Sequence, residues 1–125
     1  MSDIESFQFF VYPAVDEGLA LRLLGDLMGV LVESTDLLTE RASAFAQVSC
    51  YSEGFEQGFL ISWRRETARE IVQNEVLGQL SSLLKISALL EPSSESERWW
   101  LFNPNGLSEV NVRYLSDGIE VEAIE

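Results

Sequence analysis

The apolar residues of this chain switch twice from a strand-like to a helix-like period and back, and that order leaves few architectures open. Phe7-Gln8-Phe9-Phe10-Val11-Tyr12 is a dense aromatic run closed by Pro13, which predicts a strand with both faces partly buried. From Glu17 to about Val32 the apolar positions Leu19, Leu23, Leu27, Val30 and Leu31, with Leu24 and Met28 beside them, form a helical stripe. Asp16 suits the cap of that helix, and Asp16 with Glu17 its positive end. Gly25 and Gly29, four apart on one face, weaken the helix by about 1 kcal/mol each and allow close packing against a sheet.

Strands are expected at about 44–52 and 58–64, joined by the Gly-containing turn Ser52-Glu53-Gly54-Phe55-Glu56-Gln57. A second amphipathic helix is expected from near Glu66, with its stripe at Ala68, Ile71 or Val72, Val76, Leu80 and Leu83 or Leu84. Residues 85–90 either extend that helix or start a strand. Residues 91–98 carry turn and solvent chemistry and read as a loop. Trp99 to Phe102, Glu109 to Leu115 and Ile119 to Ile124 then form strands, separated by the turns Asn103-Pro104-Asn105-Gly106 and Ser116-Asp117-Gly118. The order is β-α-β-β-α-β-β-β. It predicts a single α+β domain over 1–125, with two amphipathic helices packed on an antiparallel sheet. A chain of 125 residues, 46% of them hydrophobic, can bury a core without metal or disulfides.

Charge bears on partners rather than on fold. Twenty-one Asp and Glu against eight Lys and Arg, with no His, leave a net charge of -13. Such a chain repels nucleic acid and anionic membranes and attracts basic surfaces. Direct nucleic-acid binding needs cation clusters, and the best group here, Arg64-Arg65 with Arg69, is interleaved with Glu66 and Glu70 as a salt-bridged helix face. No segment is apolar for long enough to span a bilayer: Leu19 to Val32 is broken by Arg22, Asp26 and two glycines. Met1 is followed by neither a basic region nor an apolar one, so no signal peptide is expected, and the expected location is cytoplasmic.

Catalytic and metal chemistry lack their usual residues. Without His, neither a Ser nor a Cys nucleophile has its ordinary base, and one Cys with no His cannot build a zinc site. Glu53-Gly54-Phe55-Glu56 and Asp117-Gly118-Ile119-Glu120 carry only fragments of a calcium loop. No phosphate-cradling Gly motif occurs. No catalytic residue, cofactor or metal is expected, and the chain is not expected to be an enzyme. Cys50 continues the small and apolar even positions of 44–50 and is expected to be buried.

Two surfaces stand out for a partner. In the C-terminal strands, alternation sets Val110, Val112 and Tyr114 on one face and Glu109, Asn111 and Arg113 on the other, with Glu120 and Glu122 outward on the next strand. Glu109, Asp117, Glu120 and Glu122 would then make an acidic plate. The second surface is the acidic loop with Glu91, Glu95 and Glu97 leading into Trp99 and Trp100. Adjacent strand residues face opposite ways, so at most one of these tryptophans enters the core directly, and its neighbour is covered by another element or partly exposed. Exposed tryptophan is a frequent interface hot spot.

In size, acidity and lack of catalytic groups, the whole chain resembles the small immunity proteins of bacterial toxin–immunity pairs. The resemblance is one of type, carried by no residue motif. It implies a cytoplasmic protein that binds a cognate basic toxin domain, such as a nuclease, and blocks it through acidic side chains. Secretion-effector chaperones are also small, acidic and α+β, but typically begin and end with helices. A nucleic-acid mimic would inhibit a DNA-binding enzyme with carboxylates spaced like phosphates along one face. Monomer and dimer are both open from sequence.

Overall fold

The computed structural model describes residues 4–34, 44–64, 73–92 and 98–122. The aromatic run becomes β1 (Ile4–Tyr12), the middle strand of a seven-stranded sheet. After it come α1 (Glu17–Met28), β2 (Val32–Ser34), β3 (Ala44–Cys50), the two-residue β4 (Glu53–Gly54) and β5 (Gln57–Arg64). The chain continues through α2 (Gln73–Leu84), β6 (Ser87–Leu90), β7 (Trp99–Asn103), β8 (Gly106–Val110), β9 (Val112–Leu115) and β10 (Gly118–Val121). The large sheet has the order β2-β3-β5-β1-β6-β7-β8, and a small sheet the order β4-β10-β9. Pairing is antiparallel except for β2 with β3 and β4 with β10. The molecule is α+β, as expected from the sequence.

Alternation along β1 explains why Phe9, Phe10 and Val11 are apolar in succession. Phe7, Phe9 and Val11 point to a core shared with α1 and α2, whose contributions include Leu21 and Leu24 from the first helix and Leu77 and Leu80 from the second. Phe9 stacks on Phe59 of β5 at 5.1 Å and on Phe7 at 5.6 Å, pairs worth about 0.5–1.5 kcal/mol each beyond their burial. Phe10 points the other way, into a second core with Phe55, Leu89, Val110 and Ile119 beneath the small sheet. The fold therefore has three layers: helices, the large sheet, and a small covering sheet.

Local chemistry sets the joints. Asp16 caps α1, its Oδ2 accepting from the Leu19 N–H at 2.9 Å. The helix ends at Met28, earlier than the apolar stripe implies, because Gly29 takes a left-handed conformation (φ 73°) and its N–H returns to the Gly25 carbonyl. Gly25 permits a close approach, since a Cβ there would sit 2.7 Å from the Val30 carbonyl oxygen. The expected start of the second helix, with Ala68, Ile71 and Val72, lies outside the described residues. Its end is set by Lys85 (φ 56°), after which residues 87–90 form a strand. Buried Gln57 ties β5 to the segment before α1: its Oε1 accepts from the Val15 N–H (2.9 Å) and its Nε2 donates to the Val15 carbonyl (3.2 Å).

The sequence pattern misses two strands and one corner, and leaves a third strand, at 87–90, open between helix and strand. β2, β4 and β6 are short and defined by their partners, and the Glu109–Leu115 run is divided at Asn111 between the large sheet (β8) and the small one (β9). Cys50 is exposed, not buried. Burial fades along its face, from Ala44 and Ala46 through half-buried Val48 to exposed Cys50.

Candidate partner-binding surface

The corner at Asn111 decides where the sequence-predicted carboxylates stand. Glu109 pairs with Trp100 across β8 and β7, so it shares the helix-side face of the large sheet. There it meets Arg98 at 3.3 Å. Glu120 and Glu122 stand on the outer face of the small sheet, with the whole large sheet between them and Glu109. Glu120 bonds to Arg113 opposite it on β9. That hydrogen bond, then the charges of Glu120 and Glu122, hold the Arg113 guanidinium above its ordinary pKa. Glu53 lies beside Gly118 on the same outer face and is exposed.

Asp117 has a structural partner. Its Oδ2 accepts from the Ser52 hydroxyl (2.6 Å) and the Ser52 N–H (2.9 Å). These bonds hold the carboxyl below its ordinary pKa and tie the β9–β10 turn to the chain leaving β3. Glu95 and Glu97 lie outside the described residues.

The two tryptophans divide between the faces, as strand alternation requires, and both are half-buried. Trp100 packs on the helix-side core and Trp99 on the core under the small sheet. The Trp99 ring centroid lies 6.3 Å from that of Phe10 and 6.4 Å from that of Tyr114, with the Trp99 and Tyr114 planes nearly perpendicular. Tyr114 is 71% exposed, the most open large hydrophobic residue among those described. Glu91 follows β6, its N–H donating to the Gln8 carbonyl at 3.0 Å. It stands one position beyond Leu90, and Trp99 one position before the Trp100 that pairs with Leu90, so the two face the same way. Burial raises the pKa of its carboxyl. Sequence alone marks Trp99, but reads Glu91 as loop and Tyr114 as one more apolar position; only the register brings the three together.

Two hollows lie among the described residues. One, of about 520 Å³, lies between α1 and β2, with Leu21, Val30 and Leu31 below and Arg22, Asp26 and Glu33 at its rim. The other, of about 420 Å³, lies between α2 and the β7–β8 turn. Among the described residues no group of three His, Cys, Asp or Glu side chains is placed to hold a metal ion. No helix among them is long and apolar enough to cross a membrane. No protein-family model, no curated protein and no solved structure matches this chain.

Proposed function

We propose that this chain is an immunity-type inhibitor that binds a basic toxin domain, in the cytoplasm, through its acidic surface. One observation carries the reading. Even if all eight cations were paired one to one, thirteen of the twenty-one carboxylates would have no cation of their own. Charge of this sign, spread over a folded domain, steers a basic partner to it and destabilises contact with acidic ones. The outer face of the small sheet, with Glu53, Glu120 and Glu122 around the single Arg113, is the most acidic of the surfaces described above. A nucleic-acid mimic would require one continuous acidic face, and the separation of Glu109 from Glu120 does not favour it.

The test is capture of the partner from native cells by the tagged protein, at low and high salt, with mass spectrometry of what is retained. A single basic polypeptide, held in equal amount, is the expected result. A self-dimer carrying an effector segment would replace the reading with a secretion chaperone, and capture of DNA-processing enzymes would replace it with a mimic. Within the expected complex, the charge reversals Glu120→Lys and Glu122→Lys slow association, most at low salt.

A further inference from the structure

We infer that Glu91, Trp99 and Tyr114 form a seat for an arginine side chain of the basic partner. The inference rests on the partner reading above and assigns it a place.

The three residues come from different elements and reach one face of the large sheet. Trp99 begins β7 with its ring half-buried against Phe10, which fixes its orientation from below. Tyr114 of the small sheet packs against it at a near-right angle, 76° between the ring planes, and leaves most of its side chain in solvent. Glu91 lies beside Trp99 across the strands, half-buried, and among the described residues no hydrogen bond or ion pair reaches its carboxylate. A carboxylate partly removed from water without a counter-ion is unfavourable, and its raised pKa has burial as its cause. Arg98, the neighbour of Trp99 in sequence, is already engaged with Glu109 on Trp100's face of the sheet.

The chemistry of the vacancy in charge is specific. An aromatic face attracts a cation, tryptophan most strongly, and a guanidinium both stacks on such a ring and donates in a fork to a carboxylate. A planar ion sitting on Trp99 would satisfy Glu91 and use the exposed ring of Tyr114 as a second wall. Lysine, a compact and strongly hydrated ion, gains less from the same walls. The net charge of -13 favours a cation at any surface point, whereas the aromatic pair and the unpaired carboxylate favour this one.

The experiment titrates the isotope-labelled chain with acetyl-Gly-Arg-Gly-amide at low ionic strength, following the Trp99 indole N–H and the Tyr114 amide. Matched peptides carry lysine, or the uncharged isostere citrulline, in place of arginine. A saturable shift at both positions is expected with arginine, a weaker one with lysine and none with citrulline. Glu91→Gln, which keeps the side chain's shape, should weaken arginine binding about tenfold, and Tyr114→Ala about threefold. Asp26→Asn, which removes the same charge from the helix layer, should leave binding unchanged. Equal weakening by Asp26→Asn, or no saturable shift, overturns the seat. With a captured partner, an unchanged dissociation rate in both Glu91→Gln and Tyr114→Ala refutes the seat and leaves the partner reading standing. Peptide binding at the seat with no partner captured does the reverse.

Discussion

Ile119→Ala tests whether the small sheet is a separable layer held by its own core. Ile119 is 2% exposed and sits among Phe10, Phe55, Leu89 and Val110, the other buried apolar side chains of that cluster among the described residues. Its carbonyl also accepts from the Phe55 N–H at 2.8 Å, a bond that the substitution leaves in place. Removing three carbons from a buried site costs about 2.4 kcal/mol in transfer free energy at ~0.8 per carbon. An uncollapsed cavity would raise the cost to about 4 kcal/mol, but three short strands can settle, which favours a value near 3. That is a large part of a total of about 5–15 kcal/mol for a domain of this kind. The loss should also be local. Hydrogen exchange should quicken at the Phe55 and Glu122 amides, bonded to Ile119 and Asn111, well before it does in β1 and β5, whose core lies on the other side of the sheet. Urea unfolding supplies the magnitude, and exchange followed by mass spectrometry the location. A loss below about 1 kcal/mol, or equal loss of protection in β1 and β5, would refute the layered account.

Two glycines with positive φ should behave differently. Gly29→Ala meets open space and should cost only about 1–2 kcal/mol in urea unfolding, whereas Gly54→Ala drives a Cβ into the Ile119 carbonyl and should cost more and loosen the small sheet. Glu91→Gln should stabilise the protein at pH 7. The raised carboxyl makes the parent chain lose stability as pH climbs from its ordinary value of 4.5 through the raised one, so the gain should vanish below pH 4.5 in thermal melts. Asp117→Ala should act in the opposite sense. The lowered carboxyl contributes above its ordinary value and is lost as pH falls through the lowered one, so this variant is destabilised at pH 7 and converges with the parent in acid. Cys50, being exposed, should react with a thiol reagent in the native protein without denaturant.

Sequence made the frame legible where one physical signal dominated. Phe7 to Tyr12 announced a strand buried on both sides, because no amphipathic strand places aromatic residues at consecutive positions, and Asp16 announced its helix by cap chemistry. Elements whose existence depends on distant partners were hidden. Glu53-Gly54 is a strand only because Gly118 and Ile119 lie beside it, and the apolar run Ile86 to Leu90 carries no period to separate helix from strand. The sheet change at Asn111 was invisible for a different reason: Val110 and Val112 keep their alternation straight through it. The same holds for the candidate surface. Alternation divided Trp99 from Trp100, but that Glu109 and Glu120 stand on different faces, and that Glu91 stands beside Trp99, follows from register across strands far apart in sequence.

The central claim is that acidity steers a basic partner onto this domain, and the association rate with the captured partner tests it most directly. Measured by stopped flow from about 20 mM to about 500 mM salt, over which the screening length falls from well above to well below 10 Å, the rate should drop by at least tenfold while dissociation changes little. A rate that holds constant over that range would contradict the claim and leave the charge of -13 with no part in recognition.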